Sequence, residues 1–582
     1  LLNVLMLLPY AGHVLNGFSY VSNRWIWAYG MLIAYIFVKI YPELFALTLT
    51  EKRKVFVMLL IYCILALIPE AARTQRNLMA MVLLSLSTFT VLSFGNIFTR
   101  ERNLTVMVAG FLIAGILFNM HYQYSYEKDY LSEFTDSGEA LEKLETGVDR
   151  AVLSTDDPSV YRYDQMDTNS SENSSMQMGT NSTAYYFSVA SSSIANFFDE
   201  MYLNTPWEQH YNNLDGRTIL DRLASVKYFV VKKGKESDLP YGYSRLSGEA
   251  EKNGKTYLAY ADEDALPLGY TYDSWISRED YDKMTVTEKQ QALLQGVVLD
   301  DSSLPETETH FNDREVSYYT SEGKGCRLKN GKVVVTQENA QLKLVFEGEE
   351  NAETYLITEG LDYEGLSPRE MISDKKWSKM TTYEQNKLLE ENSNWRYWKE
   401  SQKASIQIGG RFLKKSIQIF TDKYNAYSGK HNFLCNTGYS EKGRHTITLT
   451  FENAGVYSFD SLKIYCQPMT EIDSQTSKLG EEVLTDVKIG NNKINGKISL
   501  SDTKALVLSI PYSEGWTAYV DGEETELKEA NTMYMALELP KGDHEIHLVY
   551  CTPYLRTGLC LTCIGVLCYI VLVLINRKKK RF

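Results

Sequence analysis

Apolar residues along this chain fall into two regimes. Before residue 122, and again near the C-terminus, they run in blocks; between those regions they alternate with polar residues. A bilayer core takes about 20 mostly apolar residues per helix. Five early blocks approach that length: 1–10, which reads as the end of a helix, 25–47, flawed by Lys39 and Pro42, then 55–72, 78–98 and 104–122. A sixth, 558–575, runs straight into Asn576-Arg-Lys-Lys-Lys-Arg. By the positive-inside rule that cluster places the C-terminus in the cytoplasm. Counting back, 121–557 lies outside, and the basic turns 51–54 and 100–103 lie inside. The pattern predicts a membrane α-helical bundle, about six helices in this stretch, carrying a large extracytoplasmic α+β domain dominated by antiparallel β-sandwich modules. The opening block lacks the charged start and small-residue cleavage site of a signal peptide. The chain is therefore expected to be the C-terminal part of a longer protein with further helices upstream.

The alternating regime is punctuated by turn dipeptides whose two central residues accept positive φ: Asn253-Gly254, Asn330-Gly331, Asn495-Gly496 and Asp521-Gly522. Such pairs favour type I′ hairpins. β-rich runs lie beside them or nearby, at 256–260, 332–336, 447–451 and 516–520. From about 305 onward the chain reads as short antiparallel strands, the sequence form of sandwiches. The stretch 121–262 differs. Residues 131–148 and 217–223 follow a helical pattern, 227–231 a buried strand, and the Ser/Asn/Thr-rich run 168–193 a long loop. The sequons at Asn169, Asn173 and Asn181 would mark glycans in a eukaryotic secreted chain and mean nothing in a bacterial one. The segment from Tyr281 matches that from Trp377 at an offset of 96: Lys-Met precedes Thr-x-x-Glu in both. Thr285 with Glu288, and Thr381 with Glu384, have capping-box spacing. Related strand–helix units in tandem, or reuse of a good helix start, would each produce this match. The expected division is 1–122 (membrane helices), 123–262 (α/β), 263–400 (β-rich with short helices), 401–557 (membrane-proximal sandwich), 558–576 (last membrane helix) and 577–582 (basic tail).

Charge sharpens this division. The first 120 residues hold nine Lys/Arg against four Asp/Glu, and 577–581 adds five positive charges; with a whole-chain charge of −14, the intervening residues carry −24. Phosphates repel such a domain, so nucleic acid is excluded as a partner. With 41 Tyr, 22 Phe and 8 Trp, the chain is also too aromatic to be disordered. Cys63, Cys560, Cys563 and Cys568 fall in apolar blocks and read as small fillers; Cys326, Cys435, Cys466 and Cys551 allow three pairings of two disulfides, or stay free.

Catalytic motifs are not intact. Residues 248–256 resemble a P-loop with one residue too many between the glycines. His544 and His547, an odd separation apart in a strand, point to opposite faces and form no metal pair. No cofactor is expected; a divalent metal, if used, has no identifiable ligand set here. Two constellations fall on the expected outer membrane face. One is the polar, aromatic loop Asn16-Gly-Phe-Ser-Tyr-Val-Ser-Asn-Arg-Trp25; the other is Arg73-x-x-Arg76. Arginine grips phosphate through a planar fork. Arg24, Arg73 and Arg76 are thus candidates to hold a lipid-linked phosphate, with snorkelling to headgroups or pairing with Glu70 as the alternative.

The loop Asn16–Trp25 followed by apolar helices resembles the YfhO family of bacterial membrane proteins. So do Leu223-Ala-Ser-Val-Lys-Tyr-Phe-Val, Leu266-Pro-Leu-Gly-Tyr, Pro511-Tyr-Ser-Glu-Gly-Trp-Thr-Ala-Tyr-Val-Asp-Gly, and Gly542-Asp-His-Glu-Ile-His-Leu-Val-Tyr-Cys-Thr-Pro before a last helix and basic tail. The family's membrane part is similar to GT-C glycosyltransferases. The resemblance implies transfer of a sugar from a polyprenyl-phosphate donor to a cell-surface glycopolymer such as teichoic acid, at the outer face of the cytoplasmic membrane. Its partners would be that donor, the polymer and the lipid bilayer. Asn16, Tyr20, Asn23 and Arg24 would line the donor or acceptor entrance, with Arg73 and Arg76 beside the phosphate. The catalytic carboxylate of such enzymes lies in a first outside loop upstream of this stretch, so it is unknown here. The rival readings are a non-catalytic, membrane-anchored cell-wall glycan-binding protein and a lipid-linked sugar transporter.

Overall fold

The computed structural model describes residues 5, 8–16, 22–45, 47–67, 75–94, 101–124, 136–139, 142, 147–148, 160–165, 172–187, 189, 191–205, 210–252, 254–399, 401–410, 415–424, 426–440 and 442–579. The chain forms two compact units, Leu1–Ala140 and Leu141–Phe582.

The first unit is helical: Pro9–Leu15, Ile26–Ile40, Leu49–Leu67, Gln75–Phe94 and Glu101–Tyr124, with a 3-10 turn at Tyr41–Phe45. Gln75–Phe94 packs against both Leu49–Leu67 and Glu101–Tyr124, and Tyr41 donates a 2.8 Å hydrogen bond to Thr105. The expected six-helix membrane bundle is not what this fold shows. Among the described residues one helix, Leu555–Arg577, is long and apolar enough to cross a bilayer, and β-sheets dominate the chain. The early blocks fall short for local reasons. Block 25–47 breaks after Ile40 into the turn that carries Pro42, whose ring cannot continue a helix. Helix Leu49–Leu67 opens on the charged run Glu51-Lys-Arg-Lys, which takes its first turns out of the apolar stretch. Among the described residues the other two helices hold shorter apolar runs, Leu78–Thr90 and Val108–Phe118. Residues 1–4 and most of the expected helix 131–148 lie outside the described residues.

The second unit is β-rich. Its first sheet pairs Arg162–Gln165 in parallel with Val226–Lys232, which pairs antiparallel with Lys255–Ala261. Helices Ser192–Glu200 and Thr218–Leu223 bury Phe197, Phe198, Ile219 and Leu223 in the core with Phe229 and Leu258. Within the expected loop 168–193 the chain forms a short helix, Ser174–Met178, and a strand, Tyr185–Tyr186.

A sandwich follows. The four-stranded sheet Arg314–Val316, Ser461–Pro468, Ala352–Glu359 and Phe433–Ser440 shares its core with a five-stranded sheet built around Ala340–Gly348 and Gly443–Phe451. Leu356, Ile464 and Phe433 meet Leu344, Ile447 and Phe451 there. A second sandwich packs the sheet of Thr485–Ile489, Lys493–Leu500, Gly542–Tyr550, Trp516–Val520 and Glu523–Thr525 on that of Lys528–Ala530, Tyr534–Leu539, Lys504–Leu508 and Gly269–Tyr272. The last strand of the former sheet leads into helix Leu555–Lys579.

Two expected turns form as type I′ dipeptides: Asn330 and Gly331 have φ of 51° and 71°, Asp521 and Gly522 of 54° and 88°. Asn495-Gly496 does not turn. It lies inside Lys493–Leu500, where burial alternates strictly. A Cβ at Gly496 would stand 2.7 Å from Leu484 Cγ, so close packing, not a turn, requires that glycine.

Both capping boxes form. The match at offset 96 extends to a preceding serine cap: Ser277 caps Arg278–Asp282 and Ser373 caps Asp374–Trp377. The strands around the two helix pairs differ. Trp275–Ser277 pairs in parallel with Val297–Leu299, whereas Asp362–Gly365 pairs antiparallel with Gly455–Ser458. The repeated element is thus the pair of capped helices. All eight cysteines are free; Cys326, Cys435 and Cys466 are buried and Cys551 is exposed.

Candidate functional site

The residues nominated from sequence lie in the first unit. Asn16 caps the C-terminus of Pro9–Leu15, its N–H donating to His13 and Val14 carbonyls. The Asn23 carbonyl accepts from Ile26 N–H at 3.0 Å, and Arg24 is exposed in the turn that opens Ile26–Ile40. Beside it the Trp25 indole N–H is buried without a hydrogen-bond partner among the described residues. Arg76 stands in the first turn of Gln75–Phe94. Tyr20 and Arg73 lie outside the described residues. The structure therefore places Asn23 and Arg24 in one turn and Asn16 at the end of the preceding helix.

The second unit holds a cleft that sequence reading missed. It measures about 520 Å³ and lies between helix Ser192–Glu200, the start of helix Val286–Ala292, and the outer face of strands Ala352–Glu359 and Ser461–Pro468. Each wall follows from local rules. Helix Ser192–Glu200 buries Ile194, Phe197 and Phe198, so Asn196 and Asp199 are left on its exposed side. The strands alternate: Leu356, Ile464 and Cys466 enter the sandwich core, while Ile357, Glu359, Lys463 and Tyr465 line the cleft. Buried Ile357 and Val286 contribute apolar lining.

Tyr202 reaches the cleft by an uncommon backbone. The helix ends in a Schellman motif: Tyr202 N–H donates to Asp199 O at 3.0 Å and Leu203 N–H to Phe198 O at 2.8 Å. Tyr202 occupies the left-handed position, φ 52°, where glycine is usual. A side chain there costs about 1–2 kcal/mol. Tyr202 O accepts from Leu434 N–H at 2.9 Å, and its hydroxyl donates to Glu359 at 3.4 Å. Burial, then the neighbouring Glu359 carboxylate, pushes the Tyr202 phenol above its ordinary pKa. Glu359 also accepts a 2.6 Å bond from Ser461, which fixes the direction of its carboxylate.

The charges of the cleft are matched. Lys283 meets Glu279 and Asp280 at 3.1 and 3.0 Å, Lys289 meets Glu200 at 3.0 Å, and Lys463 meets Glu315 at 3.2 Å. Glu200 also takes Arg278 at 3.5 Å and a hydrogen bond from Thr532. Tyr465 donates to Glu315 at 3.3 Å.

A second hollow, about 970 Å³, lies on the open face of the last five-stranded sheet. Lys488, Asn495, His547 and Tyr519 stand in register across four neighbouring strands. His547 Nδ1 bonds Asn495, whereas His544, pairing with buried Ile498, bonds Asp521 at 2.8 Å and the Pro540 carbonyl at 2.9 Å. The two imidazoles thus serve different faces. Among the described residues no three His, Cys, Asp or Glu side chains gather as a metal site.

The second unit also holds a buried ionic network. Arg222, fully buried, bonds Asp262 at 2.7 Å, Asp473 at 2.8 Å and Asp264 at 3.2 Å. Tyr241 donates to the second Asp473 oxygen at 2.8 Å. Burial opposes the Arg222 charge, but Asp262 and Asp473 outweigh it and hold the guanidinium protonated. Nearby Asp221 is also fully buried, and neither carboxylate oxygen has a hydrogen-bond partner among the described residues. Burial, then the charges of Asp164 and Glu353, raises its pKa well above the usual carboxylate value.

The family described as bacterial membrane protein YfhO matches residues 1–562. The uncharacterized protein YfhO of Bacillus subtilis (strain 168) is 23% identical over 592 aligned residues, covering 98% of this chain. The chain spans 62% of that relative's length. Among solved structures, a mutant form (class 2) of the arabinofuranosyltransferase AftD from mycobacteria overlaps 81% of this chain and 70% of its own at 8% identity and a TM-score of 0.31. A second class of that mutant overlaps 26% of this chain and 13% of its own at 15% identity and a TM-score of 0.11. At these scores the likeness fixes neither fold nor function.

Proposed function

The chain belongs to the YfhO family of bacterial membrane proteins, and from that premise we propose that it is the C-terminal part of a membrane glycosyltransferase. The reaction is transfer of a sugar from a polyprenyl-phosphate donor to a cell-surface glycopolymer such as teichoic acid. The observation that carries this reading is the family match across residues 1–562; the GT-C chemistry is what the resemblance of that family's membrane part to GT-C glycosyltransferases implies. Arg24, with Arg73 and Arg76, supplies guanidinium groups for the donor phosphate; Asn16, Tyr20 and Asn23 supply polar contacts at the entrance. An upstream carboxylate acts as general base on the acceptor hydroxyl. Arg24→Ala in the full-length protein is expected to lower glycosylation of the surface polymer about tenfold or more, the size of a lost charge-assisted phosphate contact. Unchanged glycosylation would remove the arginine loop from the site.

In this reading helix Leu555–Arg577 anchors the β-rich unit outside the cell, and the basic tail faces the cytoplasm. Exposed Cys551, just before that helix, tests the orientation. A membrane-impermeant maleimide is expected to label Cys551 on intact cells. Labelling only after permeabilisation would place the β-rich unit inside. The second reading, a non-catalytic glycan-binding surface protein, draws its support from the cleft beside Tyr202.

A further inference from the structure

We propose that the cleft between helix Ser192–Glu200 and the outer face of the first sandwich is a binding site for a neutral oligosaccharide. Three features of the lining point to this ligand chemistry. First, two half-buried tyrosines, Tyr202 and Tyr465, stand with apolar Ile357 and Val286. Such surfaces receive the C–H faces of sugar rings. Second, the rim is rich in hydroxyl-binding groups: Asn196, Asp199, Thr285 and Glu359, the last with its carboxylate aimed by Ser461. Third, the three lysines of the lining each already meet a carboxylate, and Asp199, Glu200 and Glu359 offset them in number. A cleft with balanced, internally matched charge has little net attraction for a polyanion, whereas a neutral polyol needs no counter-charge.

The backbone gives an independent argument. Tyr202 holds the position after a helix where glycine is the low-energy choice. Its ring is thus kept there against local preference, and such strain concentrates at ligand-binding positions. A purely structural role predicts that removing the ring harms the fold. A binding role predicts that removing it spares the fold, because glycine relieves the backbone, and harms the ligand.

Identification of the saccharide as the acceptor polymer's sugar rests on the transferase reading; the cleft's affinity for neutral sugars does not. The test uses the detergent-solubilised full chain, titrated calorimetrically with maltotetraose, chitotetraose and a poly(glycerol phosphate) oligomer. Saturable binding of at least one neutral tetrasaccharide is expected. Tyr202→Gly is expected to weaken it about tenfold while the melting temperature stays within about 2 °C of the parent. Glu359→Gln, which keeps shape and removes charge, is expected to weaken it severalfold. Three results would overturn the proposal: no saturable binding of either tetrasaccharide, equal binding by the parent and Tyr202→Gly, or poly(glycerol phosphate) binding that strengthens in Glu359→Gln. Saccharide binding without any transfer activity in the full-length protein would sink the transferase reading and leave the cleft in place.

Discussion

Replacing Arg222 with methionine is expected to cost about 3–5 kcal/mol of stability, the cost of breaking a buried ion pair from one side. Arg222 is fully buried and is shared by Asp262, Asp473 and Asp264. Its removal leaves Asp262, itself 1% exposed, as an uncompensated charge away from water. Asp264 and Asp473 are about half exposed and rehydrate. The penalty therefore concentrates on one carboxylate, so the double variant Arg222→Met with Asp262→Leu should recover much of the loss. The network also joins distant segments, helix Thr218–Leu223, the turn at 262–264 and helix Ile472–Leu479. Denaturant unfolding of the solubilised chain reads the result. A loss under about 1 kcal/mol would mean that the network is hydrated and of little account.

Asp221→Asn is expected to act in the opposite direction and to depend on pH. Asp164 is satisfied by Ser182 and Thr183, and Glu353 by Thr218 and Tyr355; Asp221 has no such donors among the described residues. Its folded-state pKa is raised, so the native protein holds a proton that the unfolded chain releases near pH 4. This group's contribution is therefore fully favourable below about pH 4 and is lost as pH rises through the folded pKa. Relative to the parent, Asp221→Asn should gain stability as pH increases from 4 to 8, by about 1–3 kcal/mol at the upper end. Parallel stability–pH curves for the two proteins would show that Asp221 is hydrated and ionised in the native state.

The local chemistry of the β-rich unit was readable in the residues. Asn330-Gly331 and Asp521-Gly522 turn where their φ preferences demand it, and Thr285 and Thr381 cap the helices that follow them. Asn495-Gly496 misled because the strict alternation of Ile494, Ile498 and Leu500 overrides a two-residue turn preference. The early apolar blocks misled for a similar reason. Composition over a window ignores where a helix breaks, and Pro42 and the Glu51-Lys-Arg-Lys turn shorten the helices that block counting predicts. The last span, with Leu555–Arg577 uninterrupted, was legible. The nominated polar loop is described in part, with Asn23 and Arg24 together in one turn. The cleft had no local signal: Tyr202 and Glu359 are 157 residues apart and meet only through tertiary packing. Its one sequence trace is a tyrosine directly after a helix end, which acquires meaning only once the left-handed φ is known.

The proposed activity is transfer of a lipid-linked sugar. Its most direct test reconstitutes the full-length protein in liposomes with a radiolabelled polyprenyl-phosphate sugar and purified surface glycopolymer, and measures label in the polymer over time. Label incorporation is expected to depend on protein and polymer and to fall about tenfold or more in Arg24→Ala. Polymer that stays unlabelled at saturating donor, while the folded protein still binds it, would rule out the transferase and leave a glycan-binding surface protein in its place.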